Sequence, residues 1–346
     1  MDKQNHIRRF YTLGDIKLAQ SENKLLGVAI RLPCMCNFDC SYCNAKVKSS
    51  AISYSQIIDF IDQAIALGIT SASFVGEGEP LLYKGKDADG NKNLFDIVKH
   101  LNARGVQAII YTNNSLITSE VAQKLFKYNV VLVAKQNSMS KEVQEKITGV
   151  GTYQKIQEGF KNILDAGFAK AGRMSMHSVV CRHNLTEIPE MWRYWRKLGI
   201  TPQVQIMSSP TKRGKEDELQ VTPVELKNLF YLLSDIDRCE FGFEWEPRPP
   251  MAPTGCTVCM TSCGLRQDGT VTICAYSENK IGRIPEEKLA DIMNKEYTKK
   301  FHRINEYIKG KCANCEMNKK YCCYGCRAHQ ICLSGDPFAE YEFCWR

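Results

Sequence analysis

Residues 33–43 read PCMCNFDCSYC and directly follow a short β-branched run. Within them, Cys36, Cys40 and Cys43 form a C-x3-C-x2-C triplet, so one loop supplies three thiols at unequal spacing. A structural zinc site needs four closed ligands, commonly from two C-x2-C pairs. A cubane iron–sulfur cluster held by three thiolates keeps one iron open to another ligand. The triplet therefore favours such a cluster, and a chance zinc or redox triplet is the alternative for this motif alone.

The sequence around the triplet alternates β-branched runs with amphipathic helical stretches. Six strands are predicted: Val28–Leu32, Ser71–Val75, Ala108–Thr112, Val130–Ala134, Met174–Val180 and Gln203–Met207. Six strand–helix units in a row predict a parallel α/β sheet, because parallel neighbours need a crossover helix. A doubly wound sheet and a full or partial barrel both satisfy this pattern. In either fold, the chemistry belongs at the carboxyl ends of the strands.

The alternation of predicted strands and helices ends after Met207. With this change the sequence divides into three parts. Four prolines between Pro247 and Pro253 predict a stiff linker into a cysteine-rich region. We therefore predict an N-terminal extension at residues 1–27, a catalytic domain at 28–239 and a small cysteine-rich domain at 240–346.

The cysteine count indicates metal binding rather than disulfides. Of 17 cysteines in 346 residues, four lie between Cys34 and Cys43, four between Cys256 and Cys274, and seven between Cys312 and Cys344. The N-terminus lacks the apolar core of a secretory signal, and no apolar run approaches the roughly 18 residues of a membrane span. A cytoplasmic protein with no membrane partner is expected, and the reducing cytosol disfavours disulfides. The net charge of +8 comes from scattered basic residues, so a solvated basic surface is expected rather than nucleic-acid binding.

A second motif follows the second predicted strand, where residues 76–80 read GEGEP. The cysteine triplet and this segment, at consecutive strand ends, resemble the signature of the radical S-adenosylmethionine (SAM) superfamily. That resemblance implies a partial (β/α)6 TIM-type barrel and a 4Fe–4S cluster whose open iron is chelated by SAM. It also implies that the aromatic residue before the last cysteine and the glycine-rich segment bind SAM, which assigns Tyr42, Gly76, Gly78, Glu79 and Pro80.

Two further strand ends match the family more loosely. Residues 111–114 read YTNN and resemble the family's T-N-G segment, with Asn114 in place of glycine. Residues 135–138 read KQNS, where many members have a serine-rich segment that contacts SAM. The resemblance assigns Thr112, Asn113, Lys135 and Asn137 to SAM binding. Lys135 departs from the family pattern, and a lysine that faces solvent is the alternative to one that pairs with a carboxylate.

The C-terminal cysteines resemble the SPASM extension, which holds auxiliary iron–sulfur clusters. By that resemblance, one auxiliary cluster would use Cys256, Cys259, Cys274 and Cys326, and a second would use Cys312, Cys315, Cys322 and Cys344. The interval from Cys315 to Cys322 holds six residues where the family has five, and Cys323 could replace Cys322. One or two auxiliary clusters are therefore expected, and a zinc ribbon is the alternative for the C-x2-C spacings.

The resemblance implies reductive cleavage of SAM to a 5′-deoxyadenosyl radical that abstracts hydrogen from a substrate. We predict oxidation or epimerisation of a small polar molecule such as a sugar or aminocyclitol, with flavodoxin or ferredoxin as electron donor. Only 35 residues precede Cys36, too few for a leader-binding module, and Ala275 stands where sulfatase-maturing enzymes have an aspartate. The alternatives are a maturase that modifies or cross-links peptides and a non-catalytic iron–sulfur or zinc-binding protein. No catalytic acid, base or hydrogen-atom donor is assigned.

Overall fold

The computed structural model describes residues 11, 13–22, 24–43, 51–76, 78–207, 216–320 and 322–346. The predicted N-terminal extension at 1–27 lies partly outside the described residues, since 1–10, 12 and 23 are not among them. Among the described residues, no helix is long and apolar enough to cross a bilayer.

The described strands form one ten-stranded sheet and a separate hairpin. The strands are β1 (Gly27–Ile30), β2 (Ser71–Phe74), β3 (Lys84–Asp87), β4 (Gly90–Asn93), β5 (Gln107–Thr112), β6 (Val131–Lys135), β7 (Met174–Val180), β8 (Thr201–Ile206), β9 (Met251–Ala252), β10 (Ser262–Leu265), β11 (Thr270–Thr272) and β12 (Lys280–Arg283). The large sheet has the order β12-β11-β10-β1-β2-β5-β6-β7-β8-β9, and β3 pairs with β4 alone. All six predicted strands are present and pair in parallel in chain order. The predicted partial (β/α)6 barrel is confirmed, with strand ends that differ from the prediction by one or two residues.

Helices connect the strands and cover the outer face of the sheet. They are α1 (Leu13–Ser21), α2 (Tyr54–Ala66), α3 (Leu94–Ala103), α4 (Ser119–Lys127), α5 (Lys141–Thr148), α6 (Tyr153–Asp165), α7 (Ile188–Lys197), α8 (Glu216–Leu219), α9 (Pro223–Ile236), α10 (Val258–Thr261), α11 (Leu289–Asn294), α12 (Glu296–His302), α13 (Ile304–Tyr307), α14 (Glu316–Lys320) and α15 (Arg327–Ser334). Short 3-10 turns occur at Pro80–Leu82 and Gly310–Cys312, and a π-helical turn at Asp237–Phe241 follows α9.

The two faces of the sheet carry different side chains, because successive residues of a strand point to opposite faces. Ile110, Leu132 and Met176 belong to the large core under the helices. Ile109 and Val133, one residue away on the same strands, belong to a second cluster inside the barrel. The inner cluster is small, which leaves open space inside the barrel.

The C-terminal region attaches to both edges of the six-stranded barrel sheet. β9 pairs with β8 at one edge, and β10 pairs in parallel with β1 at the other. The segment between β9 and β10, which carries Cys256 and Cys259, therefore crosses the open side of the partial barrel. The sheet thus continues across the proposed domain boundary near residue 240, so that boundary marks a change in sequence pattern rather than a break in the sheet.

Candidate active site

The cysteine triplet lies in the loop after β1, at the carboxyl end of the barrel strands. Cys36 is exposed, whereas Cys40 and Cys43 are half-buried. The amide of Cys43 donates to the carbonyl of Cys40 at 3.0 Å, which closes a turn between these two ligand positions. Burial raises the pKa of the Cys40 thiol to about 11, the Lys135 ammonium opposes this rise, and negative charge on Cys43 and Cys36 adds to it. The three thiols are therefore near enough to act on one another and on Lys135.

The glycine-rich segment packs directly under this loop. Gly76 and Gly78 have φ values of 111° and 112°, a region that favours glycine. A Cβ atom on Gly78 would lie 2.4 Å from the carbonyl oxygen of Cys34, so no side chain fits there. The sequence places Cys34 outside the triplet, and here it forms the wall against Gly78. Glu77 is outside the described residues.

The carboxylate of Glu79 is almost completely buried, with 2% of the residue exposed. Its Oε2 accepts a hydrogen bond from the amide of Asn113 at 2.8 Å, and its Oε1 accepts from the amide of Leu81 at 3.4 Å. Burial raises the pKa of Glu79 to about 7, although these hydrogen bonds and the charge of Lys135 oppose the rise. Glu79 thereby ties the segment after β2 to the end of β5.

The segment after β5 explains how asparagine can replace the family's glycine. Asn114 has a φ of 69°, a left-handed conformation that asparagine tolerates better than most residues. Its side chain donates to the carbonyl of Lys135 at 3.2 Å, which links the ends of β5 and β6. The neighbouring Asn113 side chain donates to Asn37 at 2.9 Å in the triplet loop. The departure from the T-N-G pattern therefore preserves the turn.

The end of β6 contacts the triplet loop through Tyr42. The Asn137 amide donates to the Tyr42 hydroxyl at 3.2 Å, and the Lys135 ammonium lies 5.5 Å from the centre of the Tyr42 ring. Burial raises the pKa of Tyr42 well above its ordinary value, so the hydroxyl stays neutral. Lys135 is half-buried and points into the site, not outward to solvent.

These residues surround a first cavity of about 990 Å3. It is lined by all three triplet cysteines and by eight of the nine residues assigned to SAM: Tyr42, Gly76, Gly78, Glu79, Thr112, Asn113, Lys135 and Asn137. Pro80 is not in the lining; it is buried and begins the 3-10 turn that Glu79 caps. The donor set, three thiols beside a carboxylate and an ammonium, fits a cluster with an open iron and a zwitterionic amino-acid ligand.

Four thiols of the C-terminal region interact electrostatically with one another. They belong to Cys256, Cys259, Cys274 and Cys326, here termed the first auxiliary thiol group. Charge on the other three members adds to the burial that raises the pKa of Cys259. The pKa values of Cys274 and Cys326 rise to about 11 and about 12, again chiefly by burial. Buried thiols of this kind need a metal to be held as thiolates.

Cys312, Cys315, Cys322 and Cys344, the second auxiliary thiol group, lie together near the C-terminus. Burial raises the pKa of Cys344, and negative charge on Cys312 and Cys315 adds to this. Cys312, Cys322 and Cys344 line a common cavity of about 430 Å3 that Cys323 also borders. The Cys323 thiol donates to the carbonyl of Pro249 at 3.3 Å. The six-residue interval before Cys322 therefore does not remove Cys322 from the group.

Within the described residues, no three His, Cys, Asp or Glu side chains close around a single metal ion. A cubane cluster is larger than one ion, and its thiolates stand correspondingly farther apart. The two auxiliary groups fit that donor set, since each brings four cysteines together.

A second cavity of about 820 Å3 lies inside the barrel between the first cavity and the first auxiliary thiol group. It shares Val75, Gln205 and Tyr276 with the first cavity, and Cys256, Cys274 and Cys326 form part of its wall. A third cavity of about 830 Å3 adjoins the second and shares Tyr11 and Met251 with it, among others. The space inside the barrel thus runs from the triplet past the auxiliary thiols.

Two polar residues of the site escaped the sequence analysis, His177 on β7 and Gln205 on β8. His177 is buried, lines the first cavity and contacts Gln205, with 3.1 Å between Nε2 and Oε1. Because an amide oxygen only accepts, this contact places the proton on Nε2. The Tyr111 ring packs edge-on against the imidazole at 5.9 Å between centroids. The signal in the sequence was the alternation of polar and apolar residues over residues 174–180, which turns His177 away from the helix-covered face.

Comparison with protein families agrees with this geometry. The family model for the radical SAM superfamily matches residues 30–194, and the model for the SPASM iron–sulfur cluster-binding domain matches residues 256–316. The chain belongs to the radical SAM superfamily and carries a SPASM domain. The predicted cofactors, a SAM-binding 4Fe–4S cluster, SAM and auxiliary iron–sulfur clusters, are confirmed, and the zinc ribbon and the non-catalytic protein are excluded.

Two relatives resemble the chain over most of its length. An AdoMet-dependent heme synthase from Methanosarcina barkeri is 24% identical, over 92% of this chain and 95% of its own. A probable GTP 3′,8-cyclase from Saccharolobus islandicus is 26% identical, over 78% of this chain and 87% of its own.

Solved structures share the fold. Streptococcus suis SuiB bound to its precursor peptide SuiA has a TM-score of 0.70 and 17% identity, over 95% of this chain and 79% of its own. The enzyme anSMEcpe, bound to AdoMet and the Cp18Cys peptide, has a TM-score of 0.65 and 16% identity, over 90% of this chain and 95% of its own.

Proposed function

We propose that this radical SAM enzyme oxidises a small, neutral, hydroxylated molecule, such as a sugar, inside the second cavity. The observation that carries the proposal is the position of this cavity, between the SAM-binding residues and the first auxiliary thiol group. When bound, the cofactors supply hydrogen-atom abstraction at the SAM side and an electron acceptor at the auxiliary side. A substrate between them can lose a hydrogen atom, a proton and an electron.

The residues assigned to SAM supply complementary charges in the first cavity. The Glu79 carboxylate suits the ammonium of SAM, and the Lys135 ammonium suits its carboxylate. Cys36, Cys40 and Cys43 hold the adjoining cluster in this proposal, and the two auxiliary thiol groups hold two further clusters.

The lining of the second cavity supports a neutral, polar substrate. Its polar groups include the hydroxyls of Ser71, Ser73, Thr257 and Ser262 and the amide of Gln205. Among the described residues that line it, none is Asp, Glu, Lys, Arg or His. A buried charge without a partner is unfavourable, and the anionic cluster that Cys256, Cys274 and Cys326 would hold gives an anion no partner. A hydroxylated molecule therefore suits this wall better than a phosphorylated one.

The positions of the thiols favour oxidation over epimerisation. An epimerase needs a hydrogen-atom donor, usually a thiol outside the clusters. The thiols that line the first and second cavities all belong to the triplet or the first auxiliary thiol group, as far as the described residues go. Cys181 and Cys263 are fully buried and line neither cavity.

His177 is the proton acceptor in this proposal. Because Nε2 donates to Gln205, Nδ1 is the ring nitrogen that would accept the substrate proton when the imidazole is neutral. His177 lines the first cavity and not the second, and its contact with Gln205, which lines both, supports a position near their junction.

Flavodoxin or ferredoxin remains the proposed electron donor. The names of the relatives, heme synthase and GTP cyclase, describe small-molecule reactions, whereas two structures of the same fold were solved with peptides. Peptide modification is therefore the outcome that would overturn the proposal.

Turnover in deuterated water by the anaerobically reconstituted enzyme tests the substrate class. Neutral sugars, aminocyclitols and short peptides are incubated with SAM and a reductant, and the products are weighed by mass spectrometry. We expect a loss of two hydrogens from a neutral sugar. Deuterium uptake without that loss indicates epimerisation, and turnover of peptides alone would reject the small-molecule assignment.

A further inference from the structure

Arg327 is a buried cation beside the first auxiliary thiol group. It is the first residue of α15, directly after the ligand position Cys326, and 2% of it is exposed. Its Nη1 donates to the carbonyls of Pro337 and Ala339 at 3.2 and 2.7 Å. Its Nε and Nη2 are buried and have no hydrogen-bond partner among the described residues. Two donors of this guanidinium are thus left to a group outside the polypeptide.

The charge of Arg327 also lacks the usual compensation. The buried Arg196 pairs with Asp237 at 2.6 Å, and the buried Arg266 pairs with Glu278 at 2.6 Å. No carboxylate of the described residues forms such a pair with Arg327. The hydrogen bond from Lys309 lowers the pKa of Asp336 and the Arg327 charge adds to this, but the ion pair of Asp336 is with Lys309. Arginine stays protonated in proteins, and an uncompensated buried cation is strongly unfavourable.

The thiols supply the missing negative charge. Arg327 directly follows Cys326, whose thiol accepts from the amide of His329 at 3.4 Å, so the ligand position and the cation share the first turn of α15. The guanidinium carbon Cζ also lies 5.5 Å from the centre of the Tyr341 ring, which holds the side chain in place. A cubane core bound by four thiolates carries a net negative charge in both of its usual oxidation states. A guanidinium with two free donors matches such an anion in charge and in hydrogen bonding.

We infer that Arg327 is the counter-ion of the auxiliary cluster held by Cys256, Cys259, Cys274 and Cys326, and that it sets the reduction potential of this cluster. The inference rests on the ligand set proposed above. A fixed positive charge stabilises the more negative, reduced cluster and so raises its potential. Arg327 is in this sense a positioning and tuning residue, and it holds the auxiliary side of the second cavity ready to accept an electron.

Redox titration monitored by electron paramagnetic resonance tests the inference on the iron-loaded protein. All variants carry Cys36, Cys40 and Cys43 replaced by alanine, which removes the SAM-binding cluster. Adding Cys274→Ala shows which iron and which resonance signal belong to the first auxiliary thiol group, because these should be lost. Arg327→Gln removes the charge, Arg327→Lys keeps it, and Arg193→Gln is a control that removes a partly exposed arginine paired with Glu190 and Glu240. The second auxiliary cluster serves as internal reference.

We expect Arg327→Gln to lower the reduced-to-oxidised ratio of the first auxiliary cluster at least tenfold at a given potential, a shift of about 59 mV for one electron. In Arg327→Lys and Arg193→Gln, the reduction potential of this cluster should stay near that of the parent protein. If Arg327→Gln does not retain this cluster, its retention by Arg327→Lys supports the role of Arg327 as counter-ion. Loss of the cluster in both variants overturns that role. An unchanged potential in Arg327→Gln, or an equal shift in Arg327→Lys, also overturns it. Full iron retention by Cys274→Ala would instead reject the ligand set itself.

Discussion

The backbone amide of Asn113 donates a 2.8 Å hydrogen bond to the buried carboxylate of Glu79. The two residues are 34 positions apart, and the bond joins the loop after β2 to the end of β5 beneath the cysteine triplet. It leaves the carboxylate in the wall of the first cavity, beside Lys135. This position makes Glu79 a sensitive probe of SAM binding.

SAM binding should weaken as the pH falls through about 7, the pKa to which burial raises Glu79. Above that pH the carboxylate is charged and attracts the SAM ammonium, and below it the attraction is lost. A charge-assisted hydrogen bond of this kind corresponds to about tenfold in affinity. Calorimetry on the reconstituted protein at pH 6, 7 and 8 measures the effect. Glu79→Gln should bind SAM weakly at every pH. If SAM binding by this variant depends on pH as strongly as in the wild type, another group is responsible for the titration.

Replacing Cys36, Cys40 and Cys43 by alanine should abolish 5′-deoxyadenosine formation and leave the auxiliary iron in place. The physical reason is that the auxiliary thiols belong to another part of the chain, between Cys256 and Cys344. With three cubanes, we expect about twelve irons per wild-type chain and about eight in the triple variant. Chromatography of the nucleoside product and iron analysis provide the two readouts. Continued reductive cleavage of SAM by the triple variant would disprove the assignment, and about eight irons in the wild type would indicate a single auxiliary cluster.

His177→Gln should slow substrate oxidation by about 10²–10⁴-fold, the usual contribution of a positioned base. SAM affinity should fall less than turnover does, because in this proposal the residue accepts a proton from the substrate. The matched control is His100→Gln, which changes a histidine paired with Asp62 on the helix-covered side of the barrel. Single-turnover kinetics and SAM calorimetry separate the two effects. Equal losses of SAM affinity and turnover would identify His177 as a SAM-binding residue instead.

Asp237→Asn should destabilise the barrel by about 3 kcal/mol, the cost of breaking a buried ion pair. The carboxylate accepts from Arg196 at 2.6 and 2.8 Å and from the indoles of Trp192 and Trp245 at 2.7 and 2.9 Å. It thereby joins α7, the end of α9 and the start of the C-terminal region. Urea unfolding followed by circular dichroism measures the change.

The control for Asp237 is Glu240→Gln, three residues along the same turn. Glu240 pairs with Arg193 at the surface, where such pairs contribute about 0–1 kcal/mol. A similar loss in both variants would mean that burial of the Asp237 pair is not what stabilises this junction.

Local patterns in the sequence were enough for the cysteine triplet, the glycine-rich segment and the order of the strand–helix units. Each is written in consecutive residues, as ligand spacing or as the alternation of Met174–Val180, and parallel connectivity limits where they meet. Eight of nine residues assigned to SAM thus line one cavity. Pro80 is outside the lining because a residue within a motif can serve the backbone turn rather than the ligand.

Only the tertiary structure decided how the C-terminal region closes the barrel. Strand pairing such as β10 with β1 depends on edges that become adjacent only after folding, since Gly27 and Ser262 are far apart in sequence. The contact of His177 with Gln205 also depends on folding, as does the environment of the Arg327 guanidinium, because the residues involved come from distant segments of the chain. The sequence by itself therefore determined the cofactors and the order of the barrel strands. Folding decided the shape and neutral lining of the second cavity, because these depend on which side chains of distant segments face one another.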